Sequence, residues 1–72
     1  MTGNEFLDRL KRMANRNAWM FSVDSRGKGS HARVCFRDRM TTIPDPRREL
    51  KKGTLSAMCR DLGIRPQDLY DV

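Results

Sequence analysis

Residues 30–37 read Ser-His-Ala-Arg-Val-Cys-Phe-Arg, an alternation of polar and apolar side chains that is typical of a β-strand. Because successive strand side chains point to opposite faces of a sheet, the apolar members are expected to face a core: Ala32, Val34 and Phe36. The opposite, open face then carries His31, Arg33, Cys35 and Arg37. Position 31 holds the only histidine of the chain, so this strand begins at a chemically distinct residue.

Two further strands are predicted on either side of this segment. Alternation of apolar and polar residues over positions 19–24 predicts a first strand, and a short third strand is predicted over Met40–Ile43, after a tight turn at Asp38-Arg39. The Pro44-Asp45-Pro46 segment is expected to end the sheet, because proline lacks the N–H that a strand ladder requires.

Helices are predicted before and after the strands. The Thr2-Gly3-Asn4-Glu5 segment has the spacing of a capping box, and apolar residues at helical spacing follow it until the helix ends at about Asn15–Asn17. A second helix is predicted from about Gly53 to Leu62, with Gly63 as a left-handed C-cap. Pro66 suits the first turn of a short final helix.

The predicted order is therefore α-β-β-β-α, an α+β fold. The economical packing for this order is a three-stranded antiparallel sheet with the helices packed on one face. The chain has 72 residues, which is enough for one small domain, so a single domain is expected over residues 1–72.

The net charge of +6 is concentrated in the middle of the chain. Residues 26–52 contain nine Lys and Arg against three Asp and Glu, so the rest of the chain is neutral overall. Such an arginine-rich segment is expected to dock a polyanion, because arginine makes planar, bidentate contacts with phosphate.

The single histidine lies inside this basic segment. Imidazole exchanges protons more readily near neutral pH than any other side chain of this protein, so His31 is a candidate general base. Beside bound RNA it would take the proton of a ribose 2′-hydroxyl, whose oxygen then attacks the adjacent phosphorus. The strand register alone leaves two alternatives open, a reactive histidine and an ordinary exposed histidine at a strand start.

Six residues around His31 are candidate RNA contacts. Cationic side chains would stabilise charge on the phosphoryl oxygens: Lys28, Arg33, Arg37 and Lys52. Gly29 would let backbone N–H groups approach a phosphate closely. Ser30 would either orient His31 or bind a phosphate, and no Ser-His-acid arrangement marks it as a nucleophile.

Four short motifs follow one another along the chain. They are Gly29-Ser30-His31, Thr42-Ile43-Pro44, the segment Glu49–Leu55 and Leu62-Gly63-Ile64. In their order and spacing, these motifs resemble the HicA toxins of bacterial HicA–HicB toxin–antitoxin systems, and the resemblance covers nearly the whole chain.

This resemblance implies a double-stranded-RNA-binding-domain-like fold and an mRNA interferase that cleaves RNA without a metal. The histidine of the Gly-Ser-His motif is the catalytic residue of the family, so His31 would take that role. The resemblance also implies a HicB antitoxin that covers the active face. Contact with operator DNA would then be made only indirectly, through the antitoxin.

Two other functions fit parts of the sequence. A non-catalytic RNA-binding module of the same fold would explain the basic segment equally well, because such domains bind through shape and phosphate contacts. A helix-turn-helix reader of DNA would use the helices after Gly53. That function is disfavoured because residues 53–72 carry a net negative charge, which repels a phosphate backbone.

The composition predicts a cytoplasmic protein with no membrane segment and no cofactor. No apolar run approaches the ~20 residues of a membrane span, and the first residues lack the order of a signal peptide. Cys35 and Cys59 are far apart in the sequence and are expected to be reduced thiols. One histidine and two scattered cysteines are too few to predict a metal site.

Overall fold

The computed structural model describes residues 1–24 and 31–72. The predicted α-β-β-β-α order is confirmed over these residues, with a short third helix after it. The elements are α1 (Gly3–Asn17), β1 (Phe21–Asp24), β2 (Ala32–Phe36), β3 (Arg39–Ile43), α2 (Lys52–Leu62) and α3 (Pro66–Tyr70). The strands form one antiparallel sheet in the order β1-β2-β3.

The capping box at the start of α1 is confirmed. The Glu5 N–H donates to Thr2 Oγ1 at 3.2 Å, and the Thr2 N–H donates to Glu5 Oε1 at 3.2 Å. The backbone N–H of Thr2 holds the pKa of the Glu5 carboxyl below its ordinary value. The apolar stripe of α1 is buried against the sheet: Phe6, Leu10, Met13 and Ala14.

The first strand begins later than the alternation predicts. Trp19 lies just after the C-terminus of α1, where Ala18 is a left-handed cap. The backbone N–H of Trp19 still donates to the Ala14 carbonyl of the helix at 2.9 Å. The Trp19 ring nevertheless packs on the core and meets Phe36 edge-to-face at 5.7 Å. The prediction that Trp19 contributes to the core is therefore confirmed, although its place in a strand is not.

The second strand ends before Arg37. The core register of this strand is confirmed, since its apolar residues are buried: Ala32, Val34 and Phe36. Arg37 and Asp38 form the β2–β3 turn, one residue earlier than predicted, and Arg37 has a φ of 60°. Two-residue hairpin loops require such positive φ values because their twist must match that of the strands. The prediction that Arg37 lies on the open face of β2 is therefore wrong.

The second helix packs on the core face of the sheet against β3, and α3 packs against α1 and α2. In α2, Met58, Cys59 and Leu62 are buried, and burial raises the pKa of the Cys59 thiol to about 11. Gly63 ends α2 in the predicted left-handed conformation, with a φ of 72°. Leu69 of α3 completes the core. Within the described ranges, none of the helices is both long enough and apolar enough to cross a membrane.

The segment between β3 and α2 is bound to the start of α1. The Gly3 N–H donates to the Arg48 carbonyl at 3.1 Å, and the Asn4 N–H donates to the Pro46 carbonyl at 2.7 Å. The Leu50 N–H donates to the Met1 carbonyl at 2.8 Å. The first two bonds use N–H groups of the first turn of α1 that have no partner inside the helix, so they cap α1 and also order the segment.

A substitution at Gly3 tests the contact between the start of α1 and the segment between β3 and α2. A Cβ atom at position 3 would lie 2.5 Å from the Pro46 Cα, which is backbone and cannot turn aside. We expect Gly3→Ala to lower the free energy of unfolding by about 1–3 kcal/mol, the usual cost of overpacking, as measured by urea denaturation.

Gly53 provides the matched control, because a Cβ atom built there meets nothing within 4 Å. Gly53→Ala should leave the stability unchanged or raise it by up to about 1 kcal/mol, since alanine favours a helix more than glycine does. Equal destabilisation by both substitutions would contradict a close contact specific to Gly3.

Candidate active site

His31 immediately precedes β2, the central strand, and so lies where the chain enters the sheet. Ala32 pairs with Ile43 of β3, so the antiparallel register brings His31 beside Pro44, where the chain leaves β3. The side chain is exposed, as predicted. With the residues that the structure describes, the imidazole forms no hydrogen bond or ion pair, so both ring nitrogens are available to a ligand.

A cleft of about 420 Å³ opens beside this histidine. We call it the His31 cleft; its lining includes His31, Pro44, Asp45, Arg48, Lys51 and Thr54. One wall is the segment between β3 and α2, and another is the first turn of α2. The cleft is therefore built by the same segment that is bound to the start of α1.

The first turn of α2 gives this cleft a positive wall. Lys51 is the N-cap of α2 and makes no side-chain capping bond, and the first turn contains no acidic residue. The first N–H groups of a helix lack partners inside the helix and carry the positive end of its dipole. Together with the side chains of Arg48 and Lys51, they form an environment suited to a phosphate.

The two carboxylates that line the His31 cleft already have cationic partners. Glu49 pairs with the N-terminal ammonium of Met1. Asp45 Oδ1 accepts the backbone N–H of Arg47 at 3.0 Å, and Asp45 Oδ2 lies 3.5 Å from Nε of Arg48. The Arg47 N–H, followed by the two guanidinium groups, holds the pKa of Asp45 below its usual value. Arg48 is therefore already paired with Asp45, whereas Lys51 forms no ion pair with the residues that the structure describes and is left to a ligand.

A second depression of about 570 Å³ begins at the same histidine. We call it the β3–α2 groove, and its lining includes His31, Met40, Thr42, Thr54, Ala57 and Asp61. It follows the outer edge of β3 along α2. His31 and Thr54 line both the cleft and the groove, so the imidazole stands where the two meet.

The structure separates the residues that the sequence grouped around His31. Arg33 is exposed on the open face of β2, opposite Thr42, and does not line the His31 cleft. Arg37 follows the far end of β2, about 20 Å from His31 at the usual rise per strand residue. Its guanidinium lies over the Trp19 ring at 4.3 Å. Three candidate contacts, Lys28, Gly29 and Ser30, lie outside the described residues.

Lys52 also lies apart from the histidine. It lines a separate cavity with Met1, Leu55 and Tyr70, whereas its neighbour Lys51 lines the His31 cleft. Sequence reasoning missed Arg48, Lys51 and Thr54 as residues of the site. The available signal was the Pro44-Asp45-Pro46 segment, because a turn there brings the cations that follow it back beside His31, just before β2 begins.

Comparison with protein families assigns the chain. A family model described as the HicA toxin of bacterial toxin–antitoxin systems matches residues 9–64. The chain belongs to the HicA toxin family. Searches of curated proteins and of solved structures give no match.

Membership in the HicA family makes this protein a toxin of a toxin–antitoxin system. The matched region contains all three strands and the whole of α2, so it includes both walls of the His31 cleft. The order of helices and antiparallel strands agrees with the double-stranded-RNA-binding-domain-like fold expected for a HicA toxin. In residues 1–24 and 31–72, no group of three or more His, Cys, Asp or Glu side chains could hold a metal ion.

The carboxylate of Asp45 should make the stability of this toxin depend on pH. Because its pKa is lowered on folding, its contribution is fully present above the ordinary carboxyl pKa of about 4 and is lost as the pH falls through the folded value. Asp45→Asn should therefore be less stable than the wild type at pH 7, and the difference should shrink toward pH 3 in urea unfolding.

Asp38→Asn is the control, because Asp38 is an exposed carboxylate in the β2–β3 turn. Its stability should track that of the wild type at every pH. A difference between Asp45→Asn and the wild type that stays constant from pH 7 to pH 3 would show that the carboxylate charge does not hold the segment.

Proposed function

We propose that this HicA toxin is an endoribonuclease that cleaves mRNA without a metal, with His31 as the general base. The observation that carries the proposal is the position of His31 in the cleft. Its imidazole is exposed, has no partner among the described residues, and faces the same space as two cations and the start of α2.

The reaction begins when an imidazole nitrogen of His31 takes the proton of a ribose 2′-hydroxyl. The 2′ oxygen forms a bond to the adjacent phosphorus, and the bond from phosphorus to the 5′ oxygen breaks. The products are a 2′,3′-cyclic phosphate and a 5′-hydroxyl. The chain contains no second histidine to act as a general acid, so the leaving oxygen takes its proton from water, from a cation of the cleft or from the protonated His31.

The walls of the His31 cleft supply the charge stabilisation that this reaction needs. Negative charge develops on the phosphoryl oxygens as the 2′ oxygen attacks, and fixed donors placed there in advance lower the barrier. Lys51 and Arg48 line the cleft, and with the first N–H groups of α2 they would serve as such donors. The RNA contact predicted at Arg33 would lie farther along β2, and the one predicted at Arg37 would lie in the turn beyond it.

We assign the antitoxin partner to the same surface. A HicB-type antitoxin of acidic character would neutralise the toxin by covering the His31 cleft and its cations, which excludes RNA. The segment that carries the net charge of +6 includes this cleft, and complementary charge favours rapid association. Operator DNA would be contacted through the antitoxin, and the toxin would act in the cytoplasm.

Removal of the imidazole tests the catalytic role. His31→Ala should lower the cleavage rate of a single-stranded message by at least about 100-fold, the usual contribution of a general base. It should also relieve growth arrest in cells. Because the side chain is exposed, the fold should be retained, which thermal unfolding monitored by circular dichroism will show.

Two comparisons complete this experiment. Wild-type cleavage should proceed equally with and without EDTA, and a loss of activity on chelation would contradict the metal-free reaction. RNA binding by His31→Ala should persist in a fluorescence anisotropy titration. If wild type and His31→Ala both bind RNA and neither cleaves it, the protein is a non-catalytic RNA-binding module.

Two adjacent lysines test the geometry of the phosphate site. Lys51 lines the His31 cleft and Lys52 lines another cavity. Replacing either lysine by glutamine removes one positive charge, so the two variants differ only in which cavity loses it. Lys51→Gln should lower the cleavage rate about tenfold. It should also reduce by about 1 the slope of the logarithm of RNA affinity against the logarithm of salt concentration, as the loss of one phosphate contact predicts. Lys52→Gln should have a clearly smaller effect on the rate; equal losses would contradict the placement of the phosphate.

A further inference from the structure

The β3–α2 groove differs from the His31 cleft in the chemistry of its walls. The cleft presents Arg48, Lys51 and the start of α2, whereas the groove presents an apolar thioether, a hydroxyl and a carboxylate from Met40, Thr42 and Asp61. A phosphate is repelled by a carboxylate, while the edge and face of a nucleobase are not. The groove therefore suits the base of the nucleotide whose phosphate lies in the cleft.

A hydrogen bond from β3 holds the side chain of Asp61 in place. The hydroxyl of Thr41, which is buried on the core face of β3, donates to Asp61 Oδ2 at 2.9 Å. One carboxylate oxygen is thereby tied to the sheet, and the side chain itself is exposed along the groove. The second carboxylate oxygen is therefore a hydrogen-bond acceptor that is already ordered. A ligand that binds it loses less free energy to the ordering of this side chain.

Met40 offers a surface for the flat face of the same base. Its side chain is 52% exposed, although it is large and apolar. Methionine sulfur makes favourable contacts with aromatic rings. Thr42 and Ala57 provide smaller neighbours that leave space beside the thioether.

The position of His31 decides which nucleotide occupies the groove. The imidazole lines both depressions, and it must contact the 2′-hydroxyl of the ribose that is 5′ to the broken bond. In a bound RNA, the 3′-phosphate of that ribose would lie on the cation side, in the cleft. Its base, attached on the other side of the ribose, would enter the groove.

On these grounds we propose that the β3–α2 groove is a nucleobase subsite, in which Asp61 selects a base with an exocyclic amino group 5′ to the scissile phosphate. This inference rests on the ribonuclease function proposed above. Adenine, cytosine and guanine each carry an amino donor that a carboxylate can accept. Uracil has no amino group, and its single N–H lies between two carbonyl oxygens. These oxygens repel the carboxylate, because both groups are hydrogen-bond acceptors.

Four oligonucleotides test this selection. Each is a DNA strand with one ribonucleotide at the same position, bearing adenine, cytosine, guanine or uracil, so that a single 2′-hydroxyl fixes the site of cleavage. Under single-turnover conditions, we expect the wild type to cleave the three amino-bearing substrates about tenfold faster than the uracil substrate, as loss of one charged hydrogen bond predicts.

Asp61→Asn should change the preference rather than remove the activity. The amide oxygen still accepts the Thr41 hydroxyl, while an NH₂ group replaces the second acceptor and can donate to a uracil carbonyl. The ratio of uracil to cytosine cleavage should rise about tenfold or more. Asp38→Asn removes the same charge from the β2–β3 turn and should leave this ratio unchanged, and thermal melts should show that both variants fold.

The outcomes separate the two proposals. Equal cleavage of all four oligonucleotides by the wild type, or an unchanged ratio in Asp61→Asn, would overturn the base subsite and leave the ribonuclease intact. A similar change of ratio in Asp38→Asn would reduce the effect to overall charge and would also overturn it. Failure of the wild type to cleave any oligonucleotide above the level of His31→Ala would overturn the ribonuclease and, with it, the subsite.

Discussion

Three backbone hydrogen bonds join Met1 and the first two residues of α1 to the segment between β3 and α2, and the cations beside His31 depend on them for their position. Gly3 makes this approach possible because it has no Cβ to meet Pro46. The bonds fix the path of the chain from Pro44 to Lys51. They thereby place Arg48 in the His31 cleft and bring the start of α2 beside His31, just before β2 begins.

The same contact connects stability with function. The Gly3 and Asn4 N–H groups at the start of α1 are satisfied by carbonyls of the docked segment, whereas the start of α2 has no capping side chain and borders the His31 cleft through Lys51 and Thr54. One helix N-terminus is used to build the fold and the other is available to a ligand. A substitution at Gly3 that loosens the segment should therefore weaken the toxin, although Gly3 does not line the His31 cleft.

Much of the fold follows from local patterns in the sequence. The capping box of Thr2, the alternation in β2 and the left-handed cap at Gly63 each depend on neighbours within a few residues, and all three appear as predicted. The limits of β1 and β2 were less predictable. They depend on where the exit from α1 and the hairpin turn at Arg37 find their hydrogen bonds.

The surroundings of His31 depend on contacts between distant segments, and local patterns do not contain them. The alternation of side chains in β2 could predict that His31 is exposed. The same alternation placed Arg33 and Arg37 on its face of the sheet, although neither residue lines its cleft. The path of the chain after Pro44 decides instead that Lys51, and not Lys52, shares its cleft. Two adjacent lysines with the same charge cannot be distinguished by composition.

The central claim is that His31 activates a ribose hydroxyl at a phosphate held by the start of α2. The ends of the RNA fragments report this chemistry most directly, and mass spectrometry of the cleaved products identifies them. A 2′,3′-cyclic phosphate on one fragment and a 5′-hydroxyl on the other is the result that the account predicts. A 3′-hydroxyl paired with a 5′-phosphate would show that water, and not the 2′ oxygen, attacks the phosphorus, and would contradict it.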